Sequence, residues 1–273
     1  MDKTRIETDS MGEIRVPEDA YWGAQTQRSI INFSIGQETM PISVIYAMAM
    51  VKEACALCNL DEQIINKQQA DAIIQAAQEI QQGQFDDQFP LMVWQTGSGT
   101  QTNMNVNEVI ANRANEILGF NKGDKDGIHP NDHVNACQSS NDSFPTAMHM
   151  AITQHVTDDL LPCLNKLQQE LQKKASAFDH IIHIGRTHLQ DAVPLKLSQS
   201  FSAYIQFIHE AIDQISQALE KTYELPIGST AVGTGINAPK HFQQAVIHQI
   251  QQLSGLPYEH ALYFAALAAI MRS

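Results

Sequence analysis

Basic residues are scarce. Lys and Arg number 17 against 30 Asp and Glu, a net charge of −13. Binding to a phosphate backbone needs clustered Lys and Arg, so no nucleic-acid partner is expected. An acidic small molecule stays compatible, provided local donors attract it against the overall field. Long hydrophobic runs are missing as well. No stretch of 18 apolar residues occurs, and no membrane span is expected. The N-terminal Met1-Asp2-Lys3-Thr4-Arg5-Ile6 has no apolar signal-peptide core and is not a basic, acid-free transit segment. Only four cysteines are present, Cys55, Cys58, Cys137 and Cys163, which fits a reducing compartment and a cytoplasmic location. Cys55-x-x-Cys58 lies in a helical pattern with no second pair, so it reads as two small buried residues rather than zinc ligands. Strand-like alternation is almost absent.

What remains is a mainly α chain. Hydrophobic residues make up 43% of 273, enough for a buried core and one or two domains. Residues 1–40 read as irregular, with a short hairpin between Ile6 and Val16 around Met11-Gly12 and a packed loop at Tyr21-Trp22-Gly23. Ile42, Ile45, Met48, Val51 and Cys55 follow helical spacing, as do Ile64, Ile65, Ile73, Ala76 and Ile80, with Gly83 as a C-cap. Pro90 to Thr102 reads as a loop, after which Asn103 or Asn105 can cap the next helix. Met148, Ile152, Val156, Leu160, Leu164, Leu167 and Leu171 form one long stripe, which Pro162 should kink rather than end. A loop is expected over Ile184 to Pro194. Leu197, Phe201, Tyr204, Ile205, Ile208, Ile212, Ile215 and Leu219 then form a second stripe. Apolar faces this wide need several neighbours, which a bundle shared between subunits would supply.

Three stretches carry candidate chemistry. Gln138-Ser139-Ser140-Asn141-Asp142-Ser143 precedes Phe144-Pro145, and proline suits a first helical turn. Side-chain donors would then sit beside the free N–H groups of a helix start, an arrangement that binds anions. An elaborate N-cap is the plainer reading of the same residues. Gln95-Thr96-Gly97-Ser98-Gly99-Thr100-Gln101 has two glycines that let backbone N–H groups approach a ligand. No third glycine, lysine or preceding strand supports a nucleotide loop there. Ile184-Gly185-Arg186-Thr187-His188-Leu189-Gln190-Asp191 places an imidazole beside a hydroxyl and an acid, which makes His188 the best general acid/base of the chain, or else a structural hydrogen-bonder.

Other motifs carry less. His129-Pro130-Asn131-Asp132 is a polar turn or a ligand set, and a lone histidine there argues against metal. His180-x-x-His183 and His209-Glu210 lack the partners of a zinc motif. Gly233-Thr234-Gly235-Ile236-Asn237-Ala238 matches G-x-G-x-x-A, yet a long helix precedes it and Pro239 is expected to open the next helix. Neutral donors in three separated stretches, Ser98/Thr100, Ser139/Ser140/Asn141 and Thr187/His188, suit a substrate with more than one carboxylate. The only cation among them is Arg186, and none of the groups is suited to taking a carbon-bound proton.

These stretches resemble the class II fumarases of the fumarase/aspartase superfamily. The resemblance runs through Ser10-Met11-Gly12, Trp22-Gly23-Ala24-Gln25-Thr26-Gln27-Arg28, Asn103-Met104-Asn105-Val106-Asn107-Glu108, Ser139 to His149, Gly185 to Ala192 and Thr230 to Asn237, covering nearly all of residues 5–257. It implies reversible anti addition of water to fumarate, giving (S)-malate, with no redox cofactor or required metal, in a homotetramer. Ser98, Thr100, Ser139, Ser140 and Asn141 would bind substrate. Thr187 and His188 would come from a neighbouring subunit, His188 orienting or protonating the departing water. His129, Asn131 and Asp132 match a second dicarboxylate site, where some members carry an arginine and this chain has Asp126 and Gly127. The implied architecture is an N-terminal domain over 1–138 and part of a central long-helix bundle over 139–273, with the C-terminal domain absent. The family's Gly-Ser-Ser-x-Met-Pro-x-Lys-x-Asn-Pro loop does not appear before Ser273, and residues 262–273 diverge. A truncated or frame-altered end, and a chain inactive or nearly so by itself, are therefore expected. Two rivals stand beside this reading: aspartate ammonia-lyase chemistry, whose members typically carry Gly-Ala-Gly-Thr and Ser-Thr-Asn-Asp at these places, and a non-catalytic helical assembly.

Overall fold

The computed structural model describes residues 3–261; the divergent segment 262–273 lies outside the described residues. Contacts divide the chain into two compact units. One comprises the residues up to Ala151 together with those from Tyr223 onward, and the other is Ile152–Thr222.

The first unit opens with the expected hairpin, β1 (Thr4–Asp9) against β2 (Gly12–Pro17), its register closing at Asp9 opposite Gly12. Helix α1 (Ala24–Asn32) follows, where sequence periodicity gives no helix. Its cap is not local. Glu108, 82 to 85 positions further on, accepts the N–H groups of Gly23 at 2.9 Å, Gln25 at 2.8 Å and Thr26 at 3.1 Å. Glu7 takes the N–H of Ala24 at 3.0 Å. Two carboxylates thus meet the donors and positive dipole end of α1.

Helices α2 (Ile42–Asp61), α3 (Lys67–Gln81) and α4 (Thr100–Leu118) carry most of the core. Asn66 and Gln69 form a reciprocal capping box at the start of α3, and Gly83 takes the positive φ (77°) expected just past its end. Cys55 and Cys58 are buried in this core, as read from their spacing. By length and composition α2 could cross a membrane, but 72% of its most apolar window is buried inside this unit. It packs against α3, α4 and α8 (Phe242–Ser254).

Helix α4 starts one turn earlier than Asn103 or Asn105 would place it. Gly99 turns the chain at φ 67°, and Gln95 Oε1 receives the N–H of Thr102 at 3.0 Å. With that donor satisfied, Asn103 and Asn105 are free to be buried inside the helix. Helix α5 (Ser140–His155) likewise starts before Pro145, which falls inside it. The reason is a reciprocal cap: Ser139 Oγ accepts the N–H of Asn141 at 3.3 Å, and Asp142 Oδ1 accepts that of Ser139 at 3.0 Å. Helix α8 begins at Phe242, a turn beyond Pro239.

In the second unit the stripe continues from α5 through one π-helical turn, Val156–Leu160, into α6 (Leu161–Ala177). The break falls just before Pro162 and leaves the run unterminated, as expected. The stretch read as a loop, Ile184 to Pro194, is instead an antiparallel hairpin: β3 (Ile182–Thr187) and β4 (Gln190–Lys196), with an irregularity between Ile184 and Arg186. Neither strand buries a face, so no hydrophobic alternation marks it in the sequence. Helix α7 (Leu197–Leu219) packs along α6.

Candidate functional site

The starts of α4 and α5 are brought together. Gly99 sits against the ring of Phe144, and Asn103 Nδ2 donates to Ser140 Oγ at 3.0 Å. Ser98 and Thr100, whose hydroxyls are 3.3 Å apart, therefore stand beside the half-buried Ser139, Ser140 and Asn141. Five hydroxyl or amide groups line two helix N-termini, where unpaired N–H groups and dipoles favour negative charge.

The loop 228–237 closes onto the same place. Asn141 Nδ2 donates to the carbonyl of Ala231 at 2.9 Å, and the N–H of Thr230 donates to Asp142 Oδ2 at 2.7 Å. Asp142 thereby ties the loop to the Ser139 turn. Burial pushes its carboxyl up to about 6, against the N–H groups of Ser139 and Thr230 and the charge of Lys52, which hold it down.

Lys52 is the charged group behind these turns that the motif pattern misses. It lies on α2, fully buried, and its ammonium donates to Asn103 Oδ1 at 2.7 Å, Gln138 Oε1 at 2.8 Å and Asn135 Oδ1 at 2.9 Å. Burial lowers its pKa to about 8, while Cys55 and Asp142 pull it upward. The available signal was a Lys-Glu pair, Lys52-Glu53, in the middle of an otherwise apolar helix. A buried lysine is rare without partners of this kind.

His129 begins a single π-helical turn, Pro130–Val134. Its Nδ1 accepts the N–H groups of Asn131 and Asp132, each at 3.3 Å, which leaves Nε2–H as the outward donor. His129 and Asn131 line a cavity of about 340 Å³ together with Lys125. A cation thus stands near the motif, one position before Asp126. Glu7, Asp9 and Asp124 line the same cavity, with Arg5 pairing Glu7 at 2.5 Å and Arg28 pairing Asp9 at 2.9 Å.

Thr187 and His188 belong to the second unit, at the tip of the β3–β4 hairpin. His188 and Leu189 form its two-residue turn with φ of 48° and 62°, and both are exposed. Positive φ at both central positions is the type I′ pattern that matches strand twist. Arg186 is held at 3.1 Å by Asp191 across the hairpin. His183 bonds Ser200 and His209 faces Asp213, which agrees with packing and surface roles.

Residues 12–270 match the model of a protein family described as lyase. The chain belongs to this lyase family. Over 267 residues it is 57% identical to a class II fumarate hydratase of Thermosynechococcus vestitus, covering 97% of this chain and 57% of that protein. Against the mitochondrial fumarate hydratase of Danio rerio it is 54% identical over 268 residues, 97% of this chain and 52% of the relative. Among solved structures, the class II fumarase of Schistosoma mansoni superposes with a TM-score of 0.88 at 45% identity, covering 93% of this chain and 53% of that one. The chain thus spans a little over half the length of the relatives it matches. The mainly α architecture is the fold that these lyases share.

Proposed function

We propose that the protein catalyses reversible anti addition of water to fumarate, giving (S)-malate; the relatives it matches are named fumarate hydratases. One observation carries the reading: two helix starts, of α4 and α5, offer Ser98, Thr100, Ser139, Ser140 and Asn141 from adjoining positions, bridged by Asn103 and Ser140. Neutral donors at helix N-termini bind a carboxylate. They also stabilise the extra charge that it gathers when the neighbouring carbon loses a proton. Separate donor sets suit the two carboxylates of one small dianion.

In this reading Thr187 and His188 reach the site from a neighbouring subunit, and His188 orients or protonates the departing water. Self-association as a homotetramer supplies that neighbour. Exposed apolar side chains along α6 and α7, among them Leu167, Tyr204 and Phe207, support an oligomeric role for the second unit. His129, Asn131 and Asp132 form a second dicarboxylate site, with Lys125 as its cation. Residues 1–138 are the N-terminal lyase domain and the described residues from 139 onward belong to the central bundle, in a cytoplasmic enzyme. The test is a full-length form offered malate and aspartate in turn. Fumarate formed from malate alone supports the reading, and release of ammonia from aspartate overturns it.

A further inference from the structure

Behind the two helix starts lies a positive charge whose donors all go to protein side chains. Lys52 is completely buried in α2. A charge so placed is costly unless each of its donors is used. All three are used, on the side-chain oxygens of Asn103, Asn135 and Gln138. An ammonium donates only, so it can face the oxygen of an amide and never its NH2. The orientation of all three amides follows. Gln138 sends its NH2 to the carbonyls of Val134 at 3.0 Å and Ala136 at 3.1 Å. Asn135 sends its NH2 to the carbonyl of Gln138 at 3.3 Å. Asn103 directs its NH2 to Asn135 Oδ1 at 3.1 Å and Ser140 Oγ at 3.0 Å.

The contact with Ser140 has a consequence for polarity. A serine hydroxyl has a single hydrogen. Because an amide N–H arrives at one lone pair of Ser140 Oγ, the hydroxyl keeps its own hydrogen for another acceptor. With Asn103 turned over, its oxygen would take that hydrogen, and Ser140 would meet a ligand as an acceptor, which repels a carboxylate.

We propose that Lys52 is a positioning residue: acting through Asn103, it holds Ser140 as an acceptor on its inner side, so that the Ser140 O–H is presented to a substrate carboxylate. This inference rests on the reading of the α4–α5 ledge as a dicarboxylate site. It assigns Lys52 no contact with substrate.

Nuclear magnetic resonance on the 273-residue chain tests it with two readouts, the Asn103 side-chain amide signals and the fumarate dissociation constant. In Lys52→Met the amide signals should shift, and fumarate affinity should fall about tenfold, the loss of one hydrogen bond to a charged group. Lys52→Gln, which can still donate, should recover part of both. Should Lys52→Met fail to fold, Asn103→Asp provides the second variant. It keeps an oxygen toward Lys52 but offers Ser140 acceptors alone, and it should weaken fumarate binding by a similar factor. Unchanged amide signals or unchanged fumarate affinity in a folded Lys52→Met overturn the proposal, as does wild-type affinity in Asn103→Asp. A wild-type chain that binds no fumarate counts instead against the dicarboxylate reading, and the Asn103 amide signals then decide the role of Lys52 alone.

Discussion

A methyl group placed on Gly99 would lie 2.2 Å from Cγ of Phe144. The two residues are 45 positions apart, and their contact lets the Ser98/Thr100 turn stand beside the Ser139–Asn141 turn. Gly99 also has φ 67°, a backbone region that costs an L side chain roughly 1 kcal/mol. Gly99→Ala should therefore destabilise the first unit by about 2–4 kcal/mol, since overpacking alone costs about 1–3 kcal/mol. Chemical denaturation measures this, and an unchanged midpoint would contradict the packing described.

Glu108→Gln tests the distant cap of α1. An amide in that place would turn its NH2 toward a backbone N–H of Gly23, Gln25 or Thr26, at a cost of about 1–3 kcal/mol. The pH dependence supplies a separate readout. Burial pushes the Glu108 carboxyl up to about 7, against the side chain and backbone donors around it. The folded state thus holds this proton more tightly than the unfolded chain does, so this group's contribution to stability falls as pH rises from about 4.5 to about 7. The difference in unfolding free energy between wild type and Glu108→Gln should narrow over that window, as titration denaturations would show. Asp142, pushed up to about 6, acts in the same direction in both proteins and cancels.

The hairpin tip separates scaffold from chemistry. Leu189 is 92% exposed with φ 62°, so Leu189→Gly should stabilise the hairpin by about 1 kcal/mol. His188 has φ 48°, which asparagine tolerates well. His188→Asn should keep the hairpin, read from amide hydrogen exchange across β3 and β4. In a full-length form it should lower malate turnover at least a hundredfold, the range of a lost general acid. Full turnover would remove His188 from the proposed mechanism.

Self-association can be challenged on the second unit. Leu167→Glu and Phe207→Glu place charges on exposed apolar positions of α6 and α7. If these faces pair between subunits, sedimentation should show smaller species for either variant than for wild type. Equal sedimentation would argue against pairing there.

The sequence made α2, α3 and α7 readable because their apolar spacing is local, with wide buried faces on α2 and α3 and a partly buried stripe on α7. It could not reveal α1, whose N-terminal donors are met by Glu108, nor the β3–β4 hairpin, whose strands bury no face. The site shows the same division. Ser139, Ser140 and Asn141 are conspicuous as a run of donors before a helical stripe. Lys52 contributes from 86 residues before Gln138, and only the folded chain brings it to them. The early starts of α4 and α5 share one cause: Gln95 and Asp142 satisfy donors there that the local pattern at Asn103 and Pro145 does not show.

The π-helical turn at Val156–Leu160 sets the phase of the helix that follows. Met148, Ile152, Val156, Leu160 and Leu164 recur every fourth residue, whereas an α-helix repeats every 3.6, so on a regular helix such a row would wind steadily around the cylinder. The wider turn absorbs the surplus residue and brings Leu164, Leu167 and Leu171 back toward the face of Ile152. Removing one residue there would swing everything downstream by roughly 100°, a quarter-turn that no side-chain substitution could undo.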